Sequence, residues 1–108
     1  LEAAADSIRP FIALYVGGMG ARTENFHFDV VARMGFEEEA KRIQDLYLAG
    51  RKEEAVRAVP TSLVEAMAMI GPAAKIREEK ARWENSLATT LIVQGDAATL
   101  RTMAEIFL

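Results

Sequence analysis

The chain has 108 residues, enough for one domain that removes roughly 65% of its unfolded surface from water. With 51% hydrophobic and 27% charged residues, 7 Gly and 3 Pro, it is neither disordered nor collagen-like. The 13 Lys+Arg against 16 Asp+Glu leave a net charge of −3, and there are no cysteines and one histidine. That excludes a disulfide framework, a thiolate zinc site, a cysteine nucleophile and a multi-histidine metal centre.

In chain order, Ser7 is expected to cap a first helix with Pro10 in its opening turn, where a missing N–H costs nothing. Ile8, Phe11, Ile12, Leu14 and Tyr15 make this helix apolar nearly all round, so burial is expected. Gly17, Gly18 and Gly20 are expected to stop it. A second helix is predicted from an Asn25 cap, with Phe26, Val30, Val31 and Met34 a turn apart, interrupted at Gly35. Phe36 to Ala49 follows, with Ala40, Ile43, Leu46 and Tyr47 on one stripe. Glu37, Glu38 and Glu39 fill its first turn, where the helix dipole favours anions. Gly50 reads as the residue just past its end.

Arg51 to Val59 is a short helix with Ala55, Val56 and Val59 inward. Pro60 closes it and opens another, carrying Leu63, Val64, Met67 and Ile70. Gly71-Pro72 is a boundary, followed by a charged helix Ala73 to Asn85 with Ile76 and Trp83 as its apolar positions. Ala88-Thr89-Thr90-Leu91-Ile92-Val93 is the one clear strand, ended by Gly95. Asp96 caps a last helix with Leu100, Met103, Ala104 and Phe107 on one face. Seven helices and one strand leave that strand without a partner. Its unbroken apolar run is the mark of a strand buried on both faces, as in a parallel sheet. It pairs either with a second copy or inside a larger α/β protein.

Interleaved charges read as solvated helix faces and argue against a nucleic-acid partner. Pro10 to Ala21, the longest uncharged stretch, is too short to span a bilayer. Glu2 and Asp6 precede any cation, unlike a secretory leader, and the lack of cysteine fits a cytoplasmic location. The most distinctive run is Tyr15-Val16-Gly17-Gly18-Met19-Gly20-Ala21-Arg22-Thr23-Glu24-Asn25-Phe26-His27. Its glycines allow close approach of a ligand or of another backbone, and Arg22, Asn25 and His27 could converge on an anion or a ring carbonyl. The plainer alternative is a helix end, a turn and an Asn25 cap. The run is neither a Walker loop nor a dinucleotide fingerprint. His27 could serve as a general base or a proton donor, although a lone histidine near a helix start is more often structural or merely exposed. Phe36 to Pro60 has the form of a single tetratricopeptide-like hairpin without a second copy.

Taken together, Arg9-Pro10, Tyr15, the Gly17-Gly18-Met19-Gly20-x-Arg22-x-x-Asn25-Phe26-His27 run, Leu46-Tyr47-Leu48-x-Gly50-Arg51, Val59-Pro60, Ile70-Gly71-Pro72 and Thr89 to Val93 resemble the C-terminal part of luciferase-like monooxygenases. The branch they resemble uses the deazaflavin coenzyme F-420. The resemblance implies a mainly α chain that is the C-terminal fragment of a (β/α)₈ barrel. Residues 1–70 would be an inserted helical region, and 71–108 the helix–strand–helix end of the barrel. It implies a parent oxidoreductase that performs hydride transfer, or oxygen-dependent oxidation, on a small organic substrate. Coenzyme F-420 or FMN would be bound by the parent and not by the fragment alone. Arg22, Asn25 and His27 are the candidate cofactor-binding residues, and no catalytic residue or metal ligand is assigned. The alternative is a self-associating α-helical interaction domain. In either case exposed apolar surface predicts a homo-oligomer, with contacts from Phe11, Ile12, Leu63, Met67, Leu91 and Phe107.

Overall fold

Glu2-Ala3-Ala4-Ala5 is a strong helix-forming start. In the computed structural model, which describes residues 1–108, helix α1 begins there and runs Glu2–Ala13. Ser7 is therefore inside the helix rather than its cap, and its hydroxyl donates back to the Ala4 carbonyl at 2.6 Å. Pro10 is also internal. The alanine-rich turn upstream outweighs the capping preference of Ser7 and the missing donor at Pro10. Past Ala13 the helix runs on as a π-helical turn, Leu14–Gly18, and ends there with Met19 at its C-cap, so the glycine run stops it as expected.

Helix α2 is Phe26–Val31, and a second π-type turn, Ala32–Phe36, is broken at Gly35, whose φ is 98°. Helix α3 is Glu37–Leu48, α4 is Lys52–Ala58 and α5 is Thr61–Met67. The α3–α4 link is a complete Schellman turn. Gly50, at φ 82°, donates its N–H to the Tyr47 carbonyl at 3.1 Å, and Arg51 donates to Leu46 at 2.9 Å. Arg51 then caps α4.

Residues Leu1–Ala68 form one compact unit. Helix α3 packs on α4 and on the Leu14–Gly18 turn, and α1 packs on α4 and α5. The core holds Ile12, Val16, Val31, Ile43, Val59, Leu63 and Val64, each at most 4% exposed. Burying one such side chain contributes about 1.5–3 kcal/mol. The first helix is not buried all round: Phe11 is 60% and Tyr15 41% exposed, and the inward side is Ala5, Arg9, Ile12 and Ala13. Small residues let α1 lie close to its neighbours, and the aromatic rings point elsewhere. Ile12 and Leu63, expected as contact residues between copies, are consumed in this core, whereas Phe11 and Met67 stay exposed.

Arg9 is 8% exposed and fixes α1 to the α4–α5 junction. Its Nε donates to the Val59 carbonyl at 3.0 Å and its Nη2 to Glu2 Oε2 at 3.0 Å and to Thr61 Oγ1, while Nη1 pairs with Asp6. Burial pushes the guanidinium pKa down, but hydrogen bonds to Glu2 and Asp6 outweigh it and raise the value.

The second unit is Met69–Leu108. Helix α6, Ala73–Glu84, follows Gly71 and Pro72, and helix α7, Ala97–Phe107, is capped by Asp96, whose carboxylate accepts the Thr99 N–H at 2.8 Å. That bond lowers the Asp96 pKa. The two helices touch, with Lys80 Nζ 5.7 Å from the Phe107 ring centroid. On α7 the buried residue is Ile106, and Leu100, expected inward, is 50% exposed. The expected strand Ala88–Val93 is not a strand here: it lies outside any helix or ladder. A strand needs a neighbour, and this chain has none to pair with it.

Candidate functional site

The Gly-Gly-Met-Gly run owes its glycines to packing. A Cβ on Gly17 would stand 2.5 Å from Tyr47 Cβ, and one on Gly18 would stand 2.5 Å from Tyr47 Cε1. The Tyr47 ring of α3 thus lies against the backbone of the π-helical turn, an approach only glycine permits. Gly20 has φ 145°, and a Cβ there would run into the Glu24 carbonyl oxygen. Ala21 and Glu24 close the turn as an isolated antiparallel bridge.

Asn25 is 2% exposed and its side chain is fully used. Its Oδ1 accepts the Phe28 N–H at 2.9 Å and caps α2. Its Nδ2 donates to the Val16 carbonyl at 2.8 Å and to Tyr15 at 3.1 Å. One amide thereby joins the start of α2 to carbonyls freed by the π-helical turn, which would otherwise be left without a partner.

Arg22 and His27 keep exposed side chains. Arg22 pairs with Asp45 on α3, both more than half exposed. The His27 ring lies 4.8 Å from that of Tyr15, tilted by 51°, and 5.6 Å from Phe26, edge-on at 80°. These separations are those of favourable aromatic pairs. Tyr15 at 41%, Met19 at 48% and Phe26 at 69% exposure make this the most apolar open surface around the motif. Arg22, Asn25 and His27 share no hydrogen bond: Asn25 faces the turn, His27 faces Tyr15, and Arg22 faces α3.

Within this chain the three side chains do not converge on one pocket. Asn25 has no group to spare and the Arg22 charge is met by Asp45. Two open depressions of this unit are bounded by Phe28, Asp29, Ala32, Arg33 and Glu37, and by Gly50 to Glu54 with Arg57, and neither is lined by the three candidates. No set of three or more His, Asp or Glu side chains is arranged to hold a metal ion. No helix is long and apolar enough to cross a membrane.

Tyr47 and Asp45 are the residues that sequence reasoning assigned no part in the site. Tyr47 falls on the apolar stripe of α3, a pattern that does not reveal its contact with Gly17 and Gly18. The available signal was a pair of adjacent glycines and one large ring, each without a local reason.

The sequence profile of luciferase-like monooxygenases matches residues 1–90, and the chain belongs to that family. A Mycobacterium tuberculosis protein named "Putative coenzyme F420-dependent oxidoreductase" is 39% identical over 105 residues, which is 96% of this chain and 30% of that protein. The chain therefore spans less than a third of that relative's length. No solved structure matches. The family is one of oxidoreductases built on a (β/α)₈ barrel, and a mainly helical chain of this length fits as a fragment of such a barrel.

Proposed function

We propose that the chain works as part of a deazaflavin- or flavin-dependent oxidoreductase that moves hydride to or from a small organic substrate, or oxidises it with oxygen. The observation that carries this is the 39% identity to the mycobacterial protein across 96% of the chain. Coenzyme F-420 is favoured over FMN by that relative's name. On this reading the Gly17–Asn25 turn is scaffolding that holds Arg22, His27 and the Tyr15 and Phe26 rings at the surface. Arg22, paired with Asp45, and His27 are then the candidates whose side chains are exposed to a ligand. The isolated chain binds no coenzyme and turns nothing over, since hydride transfer needs a preorganised pocket. The protein is cytoplasmic and forms homo-oligomers.

A second reading, a self-associating helical domain without activity, draws on the exposed Phe11, Tyr15, Phe26 and Met67. The test is a chimera in which this chain replaces the matching segment of the mycobacterial relative. Fluorescence titration with coenzyme F-420 and with FMN should give micromolar or tighter binding for the chimera and none for the isolated chain. A folded chimera that binds neither coenzyme, while the parent relative does, overturns the proposal. So does tight binding by the isolated chain, for its claim that the chain alone is inactive.

A further inference from the structure

We infer that the α3–α4 hairpin carries a binding site for one dianionic phosphate group, held by Arg42 of α3, Arg51 at the link, and Lys52 and Arg57 of α4. The site makes no use of Arg22, Asn25 or His27, and it stands whether or not the coenzyme reading holds. Along the sequence these cations alternate with acids and read as a solvated surface. The Schellman link folds α4 back on α3 and gathers them. Gly50 to Glu54 and Arg57 line an open depression of about 340 Å³. That is the lower end of the size of small-molecule sites, roughly 300–1,000 Å³.

The charges there do not balance. Glu53 and Glu54 are the carboxylates of the lining. Arg51 grips Glu54 at two points, Nε donating to Oε1 at 3.0 Å and Nη2 to Oε2. That hydrogen bonding, helped by the charges of Arg57 and Arg42, holds the Glu54 carboxyl below its ordinary range. Lys52 Nζ stands 5.5 Å from the Tyr47 ring centroid. The ring is fixed in turn against the Gly17 and Gly18 backbone, so this cation has a set position. Arg42 and Arg57 are exposed and have no ion pair. Four cations against two carboxylates leave two positive charges unmatched, and a phosphate monoester carries about 1.5–2 negative charges at neutral pH. Guanidinium forks also meet phosphate oxygens in pairs. A nucleic acid would need a longer track of cation than one hairpin provides. The Arg51 side chain is 57% exposed, so the attraction is screened by salt and binding is of modest strength.

The test is an NMR titration of the isolated chain with inorganic phosphate, at neutral pH and constant low ionic strength. The inference expects saturable amide shifts across Gly50 to Arg57, with a Kd of about 10 mM or tighter. Arg42→Gln together with Arg57→Gln should weaken binding about fivefold or more. Glu54→Gln should tighten it, because the change releases Arg51 from its partner. Arg33→Gln removes a like charge from the other depression and should leave binding unchanged. A simple alkyl phosphate that binds as tightly as inorganic phosphate supports the site and points to a phosphorylated small molecule as its ligand. A weaker alkyl phosphate supports it with free phosphate as the ligand. Shifts that stay linear up to about 10 mM phosphate overturn the inference. So does an equal loss in Arg33→Gln, which would mean net charge alone, or succinate binding as tightly as phosphate, which would mean that the site does not select a phosphate group.

Discussion

Gly18→Ala should change sign according to what stands at position 47. In the parent, the new methyl meets the Tyr47 ring at 2.5 Å from Cε1 and 3.1 Å from Cδ1 and Cζ. Overpacking of this kind costs about 1–3 kcal/mol. Against it stands the gain from replacing a helical glycine with alanine, about 0.5–1 kcal/mol. The φ of Gly18 is not positive, so nothing else opposes the change. The net result is a destabilisation of about 0.5–2 kcal/mol, or several degrees in Tm at roughly 4–8 °C per kcal/mol for a domain of this size. In a Tyr47→Ala background the ring is gone, only the helix gain remains, and Gly18→Ala should stabilise by about 0.5–1 kcal/mol. Gly17→Ala is the control. Its methyl would lie 2.5 Å from Tyr47 Cβ, an atom that alanine at position 47 retains, so it should destabilise in both backgrounds. Urea unfolding of the parent, the three single variants and the two doubles gives both cycles. A Gly18→Ala effect that is the same with and without the ring would refute the packing account.

Asn25→Ala should cost about 2–3 kcal/mol, since it removes a helix cap and strands two carbonyls. Asn25→Ser keeps a capping oxygen but cannot reach Tyr15 and Val16, so it should recover about 1 kcal/mol of that loss in the same unfolding assay. The Thr61 hydroxyl and Arg9 hold the Glu2 pKa below its ordinary value. A depressed carboxylate contributes stability that is complete above its unfolded value, about 4.3, and is lost as pH falls through the lower folded value. Melting curves from pH 7 downward should show this acid loss in the parent and a shallower one in Glu2→Gln; identical slopes would remove Glu2 from the cluster.

Most features decided within a few residues were legible, the start of α1 being the exception, where Glu2 to Ala5 place Ser7 and Pro10 inside the helix. Asn25 and Asp96 cap their helices because a short polar side chain reaches an N–H three residues on, and Gly50 ends α3 because its φ is positive. The rest of what escaped was decided at a distance. Gly17 and Gly18 look like a helix stop until Tyr47, on another helix, supplies their reason. The all-round apolar pattern of α1 could not tell which side faces the core, because alanines and the stem of Arg9 take the inward positions that the rings of Phe11 and Tyr15 do not. The run at 88–93 has the composition of a strand, but pairing is a property of two segments and the chain holds one. Of the candidate site, the sequence located the turn that carries it. It could not show that Asn25 is spent on neighbouring backbone, that Arg22 pairs with Asp45, or that His27 lies against Tyr15.

The Schellman link between α3 and α4 also bears on the order in which the first unit forms. Ala49, Gly50 and Arg51 have no idle member, since Arg51 serves at once the end of α3 and the start of α4. Bringing these two helices together closes almost no loop, whereas seating Arg9 on Val59 and Thr61 joins residues 50 and 52 positions apart. Closing that longer loop costs more entropy and gains nothing until its contacts are made. The α3–α4 hairpin is therefore the piece that can assemble first, and α1 the latch that closes last and opens first. Amide exchange should be faster in α1 than in α3 as a direct trace of that sequence.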